Sequence, residues 1–365
     1  MSKQEEKIFK IIKENPTISQ DEIASILNIK RSTVAVHISN LTKQGLIVGK
    51  GYIFKDEPYV VGIGASNIDI YAKSNIKIRE YYDHPANVFS SVGGVAKNIL
   101  TNLSKLDVKT KLITAVGDDS NGKTIIDDCK KNDIDISNVI IEKDKATSTF
   151  VQIQDKNNDM YLAMCDMSIL DHITPKYIRS KKNVLLNSKL VVIDSSLRVD
   201  TIDEIINICK NRVPIYIDPI SENYALKIKS YVNEFSCIKP NKKELEKLSG
   251  IIINNDKTLY SACDKLLSSG LDKIFVSLSK DGILYMDKEG NKIRKKYKKV
   301  NVVKNASGAG DACMAALIYG TINNFDYEKI VDYGLAAGLS SILCENTIND
   351  ELSIKTINKI IKENS

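Results

Sequence analysis

The residues best suited to chemistry stand together in NASGAGDAC, Asn305 to Cys313, behind the apolar run KKVNVV. Four small residues, Ser307, Gly308, Ala309 and Gly310, end in a single carboxylate, Asp311, and the apolar stretch ACMAALIYG follows, too long for a strand. Backbone this permissive is conformationally costly, and it is used where the main chain takes unusual angles or meets a ligand closely. Between a strand and a buried helix it offers free N–H groups and the positive end of the helix dipole, a setting for an anion and above all for phosphate. An acid beside phosphate is repelled by it unless its task is to take a proton. Read alone, the stretch is either such a group-transfer site or a tight turn with an acid in the first helical turn.

A second stretch competes for the same chemistry. GDDSNGKT, Gly117 to Thr124, is a literal G-x-x-x-x-G-K-T between the strand pattern KLITAV and a helical pattern, as a phosphate-binding P-loop requires. LVVIDS, ending near Asp194, could serve as its metal-binding strand. Two features weigh against it: Asp118 and Asp119 would sit inside a loop that must cradle negative phosphates, and the turn at 308–310 would have no role.

The elements that position these residues follow from periodicity. From Tyr59 onward, short apolar strands (YVVGIGASNIDIYA, KLITAVG, LVVIDSS, VPIYIDP, CIKP, KIFVSLS) alternate with helical patterns such as GGVAKNILTNLSKL. This alternation predicts an α/β domain over 59–365, with a mostly parallel sheet flanked by helices. DHPANVFSSVGG and STFVQIQDKNNDMYLAMCDM break the rhythm and predict a small separate sheet, the second as a hairpin turning at Lys156-Asn157-Asn158.

Residues 1–54 read differently. QEEKIFKIIKEN is helical in spacing, Ser19 with Glu22 forms a capping box before a second helix, and IKRSTVAVHISNLTKQG predicts a third. LIVGKGYIF predicts a short hairpin, and the whole resembles a winged helix-turn-helix. Its third helix would present Lys30, Arg31, Ser32, Thr33 and His37 to a DNA major groove. Eight lysines and arginines face five acids here, half of the chain's excess of +6. The rival reading is a small packing or dimerisation module. DNA is the partner predicted for this segment, and because operators are often palindromic, a homodimer is expected.

Composition excludes several classes. Seven scattered cysteines with no CxxC pair argue against a disulfide framework or a zinc site and predict reduced thiols in a cytoplasm. No run reaches the ~18 apolar residues of a membrane span, and the charged N-terminus has no signal-peptide core. The basic run IRKKYKKV predicts an exposed strand or loop edge.

With SVGGVAKNI, SNIDI, KPNKKE and SGAGD in this order, residues 59–365 resemble the ribokinase-like (PfkB) family of sugar and nucleoside kinases. The resemblance implies a small β-sheet lid, with pieces at about 71–92 and 147–167. It implies that Asn67, Asp69, Gly93, Gly94 and Asn98 bind the substrate. Asn241 and Glu244 would organise metal-bound water near the nucleotide phosphates, and Ser277, Gly282 and Asn349 would add nucleotide contacts. The N–H groups of Gly308, Ala309 and Gly310 would form an anion hole, with Asp311 as catalytic base. ATP and Mg²⁺ are implied as cofactors, with a monovalent cation, K⁺, near the anion hole. The "VGDD-x-x-G" turn is itself a family feature, which accounts for the P-loop look-alike. The chemistry agrees: phosphoryl transfer needs charge stabilisation at the phosphate and an acceptor for the proton of the attacking hydroxyl.

Within the family, Asn305, Ser307, the stretch TSTFVQIQDKNNDMYLAMCDM and IDPIS are similar to pseudouridine kinases, some of which carry an N-terminal winged helix. Cys165 departs from that pattern, which usually has Asn. The expected activity is therefore ATP-dependent phosphorylation of the ribose 5′-hydroxyl of pseudouridine or a related nucleoside. Two rivals are a kinase of ribose, another sugar or a purine nucleoside, and a transcription regulator whose kinase-like domain only senses a nucleoside.

Overall fold

A computed structural model describes residues 2–16, 18–47, 57–156, 160–297 and 303–364. The chain forms two units, Met1–Glu57 and Pro58–Ser365.

The first unit holds three helices, α1 (Lys3–Glu14), α2 (Gln20–Leu27) and α3 (Arg31–Lys43). Both α1 and α2 open on complete capping boxes, Ser2 with Glu5 and Ser19 with Glu22, so donors that a helix start leaves open are satisfied locally. Asn28 ends α2 in the left-handed conformation, which Asn tolerates better than most residues. Ile8, Ile23, Ala24, Val34 and Leu41 form the core of this unit. Most of the hairpin expected in LIVGKGYIF lies outside the described residues.

The second unit contains strands β1 (Tyr59–Ile63), β2 (Asn67–Ser74), β3 (Ala86–Gly93), β4 (Lys109–Ile113), β5 (Ala115–Gly117), β6 (Ile134–Asp135), β7 (Ile140–Glu142), β8 (Thr149–Gln154), β9 (Met160–Asp166), β10 (Leu190–Asp194), β11 (Ile215–Asp218), β12 (Cys237–Ile238), β13 (Lys273–Ser277), β14 (Ile283–Asp287) and β15 (Lys292–Lys295). Nine of them form one sheet in the order β15-β14-β13-β12-β11-β10-β1-β4-β6, parallel except at β13-β14-β15. LVVID and IYID are buried along their whole length, the pattern of a parallel sheet covered on both faces. Val61, Ile193 and Ile217 pack to one side, and Val60, Val192 and Tyr216 to the other. β15 is a sheet edge and holds the start of the basic run, alternating exposed and half-buried residues.

The lid is one four-stranded sheet, β3-β2-β8-β9. The stretch YVVGIGASNIDIYA, read as one strand, divides between the two sheets: β1 lies in the large one and β2 in the lid. The physical cause is Gly64, at φ +150°, where an added Cβ would lie 2.3 Å from a carboxylate oxygen of Asp194. That carboxylate, fully buried, accepts hydrogen bonds from Ala65 N (2.8 Å), Ala96 N (3.1 Å) and Ser196 N (3.0 Å). One side chain thus fixes the exit of β1 and the start of the helix α4 (Val95–Ser104). The lid turn at Asn157-Asn158 and the strand expected in KKVNVV fall on or largely on residues outside the description.

Candidate active site

Chain order reverses at β1, which has β10 on one side and β4 on the other. In open parallel sheets the crevice beyond the carboxyl ends at such a point is where ligands bind. Three charged residues stand at successive strand ends there: Asp194 ends β10, Asp218 ends β11, and Lys239 follows β12 directly.

The small-residue stretch opens the helix Ala309–Ile322. Its N-cap is Gly308, at φ +79°, and no side chain caps the exposed N–H groups. A Cβ on Gly308 would lie 2.1 Å from the carbonyl oxygen of Thr347, so only glycine fits. Asn305 braces the approach, accepting from Ser307 N (2.9 Å) and donating to the Glu345 carbonyl (3.0 Å).

The look-alike GDDSNGKT makes the opposite use of its helix start. Asp119 caps the helix α5 (Ser120–Lys131), accepting from Gly122 N (2.7 Å), Thr147 N (2.8 Å) and the Thr147 hydroxyl (2.6 Å). A carboxylate fills the place a phosphate would need, and Lys123 points to solvent. The positive helix end at 308–310 is open, whereas that at 119–122 is closed.

Asp311, in the first turn of the open helix, is 9% exposed, and Asn98 Nδ2 donates to its carboxylate at 3.0 Å. Burial, with the charge of Asp218 adding to it, pushes its carboxyl up to about 8. A buried carboxylate that holds a proton this firmly is a competent acceptor for one. Asn98 lies on α4, so that helix and the Asp311 carboxylate are joined by a side-chain hydrogen bond. The oxygen of the same Asn98 amide, Oδ1, is buried without a partner and could accept from a bound hydroxyl.

On the lid, Asn67 Nδ2 donates to Asp69 at 2.5 Å, and the Tyr71 hydroxyl lies 3.5 Å from the other Asp69 oxygen. A Cβ on Gly93 would sit 2.2 Å from Asp69, which explains a glycine opposite that acid. Gly94, at φ +101°, lets the backbone pass Ala65 before α4 begins. Burial and the neighbouring charge of Asp69 push the Tyr71 phenol up to about 12, and Ser307 of the open loop also reaches it. Tyr71 therefore links Asp69 of the small sheet to the loop before the open helix start. It carried no motif in the sequence.

Asn241 and Glu244 form a complete capping box: Asn241 N and Nδ2 donate to Glu244 (2.8 and 2.6 Å), and Glu244 N donates back (3.0 Å). Burial, then the charge of Asp218, pushes the Glu244 carboxyl up to about 7. Among the described residues no three carboxylate, His or Cys side chains converge as a metal cage. Mg²⁺ is commonly held instead by one or two carboxylates, waters and substrate phosphates, and the crowded carboxylates of Glu244 and Asp218 fit that mode.

Ser277 lines a cavity of about 510 Å³ together with Asn241 and Ser279. Gly282 is buried in the turn that follows, at φ +85°, against the Lys295 carbonyl. Asn349 is placed differently from expectation. It donates to Ser340 (3.2 Å to the carbonyl, 2.6 Å to the hydroxyl) and accepts from Glu351 N (2.9 Å), so its amide braces its own loop.

In the first unit Lys30, Arg31, Ser32 and Thr33 are exposed at the start of α3, with Arg31 3.6 Å from Asp21. His37 turns inward, its Nδ1 3.6 Å from the Glu5 carboxylate, and so does not join that exposed set. The helix α3 contains no acidic residue.

Residues 57–354 match the family model for pfkB family carbohydrate kinases, and residues 1–48 match that for winged helix-turn-helix DNA-binding. Over 353 residues the chain is 29% identical to the uncharacterized sugar kinase YeiI of Escherichia coli (strain K12), covering 97% of each chain. It is 28% identical over 308 residues to the pseudouridine kinase of the same organism, covering 84% of this chain and 98% of that one. A crystal structure of a putative sugar kinase from Clostridium perfringens superposes with a TM-score of 0.75 at 31% identity, covering 85% of this chain and 97% of the other.

Proposed function

The chain belongs to the pfkB family of carbohydrate kinases, and from that premise we propose that it transfers the γ-phosphoryl group of Mg²⁺-bound ATP to the ribose 5′-hydroxyl of a nucleoside, pseudouridine first among them. The observation that carries this reading is the uncapped helix start at Gly308–Gly310 beside a buried Asp311 that is hydrogen-bonded to Asn98. The helix end stabilises charge on the phosphoryl oxygens, and the carboxylate takes the hydroxyl proton. Glu244, with Asp218 behind it, would hold Mg²⁺ through water, and the metal would neutralise phosphate charge.

A nucleoside is favoured over a bare sugar by the lid. Tyr71 and Phe89 stack with centroids 5.1 Å apart at 18°, and Gln152 lies opposite Tyr71 in the register. They line a cavity of about 1250 Å³ with Gln154. An aromatic plate with amides beside it suits a flat heterocycle that has donors and acceptors on its edges. The similarity to pseudouridine kinase over most of the chain supports the same choice. The test is ATP consumption by purified protein with pseudouridine, uridine, inosine and ribose. Pseudouridine is expected to give a kcat/KM at least tenfold above the others. Ribose leading that panel would exclude the nucleoside reading, and no turnover with any acceptor would favour a nucleoside sensor.

For residues 1–54 we infer duplex DNA binding. Lys30, Arg31, Ser32 and Thr33 stand exposed at the N-terminal end of α3, the part of a recognition helix that reaches bases and phosphates. Affinity is expected to fall steeply between two salt concentrations, because each neutralised phosphate releases counterions. Gel-shift titration of full-length protein and a 1–54 deletion, on DNA upstream of the protein's own gene, reads this directly. The deletion should abolish binding and leave kinase activity intact. A stoichiometry of two chains per duplex is expected from a homodimer, whose lids offer exposed Val88, Met160 and Met164 for pairing. Equal binding by both proteins would make the segment a packing module.

A further inference from the structure

We propose that Lys239 is a catalytic residue: its ammonium group, held against Gly310 by Asp218, binds a phosphoryl oxygen as the group crosses to the acceptor. The inference rests on reading Gly308–Asp311 as the phosphoryl site. Lys239 Nζ lies 3.0 Å from Asp218 Oδ2 and 3.3 Å from the point a Cβ on Gly310 would occupy. Both side chains are almost completely buried, at 6% and 8% exposed.

A buried ion pair is a poor way to stabilise a fold, since desolvation offsets most of the attraction and well-packed apolar residues do as well or better. Its position is what distinguishes this one. The ammonium has three donors; Asp218 engages it, and Gly310 of the open helix start lies against the same group. The main chain is fixed there: Lys239 N continues the ladder to the Ile217 carbonyl at 3.2 Å, and Pro240 and the Asn241 cap follow. The charges of Asp218 and Lys239 both act on the Glu244 and Asp311 carboxylates, so this cation offsets the repulsion that an incoming polyphosphate would meet from those acids. Asp218 aims the lysine through an oxygen that asparagine would also offer, Glu244 adds to the charge that favours the ammonium, and Gly310 leaves room for the phosphoryl oxygen. In the step itself the acceptor oxygen–phosphorus bond forms, the bond from phosphorus to the departing ADP oxygen breaks, and the hydroxyl proton passes to Asp311. Lys239 retains its proton throughout.

The test must separate a catalytic cation from a structural pair. Asp218→Asn alone keeps the lysine. The Asp218→Asn, Lys239→Gln double variant removes the lysine without leaving a buried charge, because its two amides can hydrogen-bond each other. The Asp218→Asn, Lys239→Met variant stands in if the amide pair does not fold, with thermal melting reporting folding for each. Between the single and double variants, kcat at saturating ATP and acceptor is expected to fall about 10²- to 10³-fold, the usual loss for one oxyanion donor. KM for the acceptor should move much less. A fall below tenfold overturns the inference whatever happens to KM, since a structural pair is already broken in the single variant. Asp311→Asn is run beside them. If it stays near wild-type turnover, the site reading itself fails. If it is slow while the double variant keeps pace with Asp218→Asn, only the role of Lys239 fails.

Discussion

Replacing Asp311 with Asn is expected to lower kcat by about 10²- to 10⁴-fold, the range for losing a positioned general base, while nucleoside and ATP still bind. Asparagine keeps the shape and can still accept the 3.0 Å hydrogen bond from Asn98, so the loss falls on proton transfer. The same substitution should make the protein more stable at neutral and alkaline pH. Burial and the charge of Asp218 raise the Asp311 carboxyl from 3.8 to about 8 in the folded chain. Between those values the folded state binds a proton that the unfolded chain has released, so stability falls as pH rises through this window and levels off above it. Asparagine does not titrate, and its melting temperature should lose less from pH 5 to pH 9 than that of the wild type. Activity runs the other way: free-enzyme kcat/KM should climb with pH to a plateau above about 8, because the base must be ionised to work. Near-normal turnover in Asp311→Asn, or a wild-type profile already flat from pH 6, would remove the mechanism.

How much of this was legible in the chain depended on whether function and local folding use the same spacing. Asn241 and Glu244 were legible because the N-x-x-E spacing proposed for the nucleotide is also a capping box, closed here by three hydrogen bonds. Gly308 and Gly310 were legible because a helix start with no capping side chain needs small residues. Asp218 and Lys239 were not, and Asp194 stood out only as a metal-binding strand end for the P-loop look-alike, since each is a lone charge at a strand end and only the parallel register brings the ends together, Asp194 beside Asp218 and Ile217 beside Ile238. The division of YVVGIGASNIDIYA was hidden for the same reason: Gly64 turns there to make room for Asp194, 130 residues along the chain. Asn349 and His37 show the converse. Polar residues at plausible positions proved to hold their own surroundings, Ser340 and Glu5 respectively.

The two glycine-rich helix starts make opposing predictions, and one pair of variants ranks them. Lys123→Ala should leave kcat and KM for ATP within about twofold of wild type, because Lys123 is exposed and the helix start behind it is already filled by the Asp119 carboxylate. Exposed changes of this kind usually shift stability by no more than about 0.5 kcal/mol. Gly310→Val should abolish measurable transfer. A Cβ at 310 reaches within 3.3 Å of Lys239 Nζ, and the two methyl groups beyond it would occupy the space in front of the open N–H groups. The phosphoryl oxygens then lose both the helix end and the nearby ammonium, and two such losses at about 10²- to 10³-fold each exceed what most assays can follow. Folding should survive better than activity. The position has ordinary helical backbone, unlike Gly308 with its φ of +79°, and the neighbour that must yield is the end of a flexible side chain. Circular dichroism and thermal melting on the same preparations separate a misfolded variant from a folded, inactive one. A folded Gly310→Val that still turns over beside a Lys123→Ala that does not would transfer the phosphate site to Gly117–Thr124, and with it the assignment of the base.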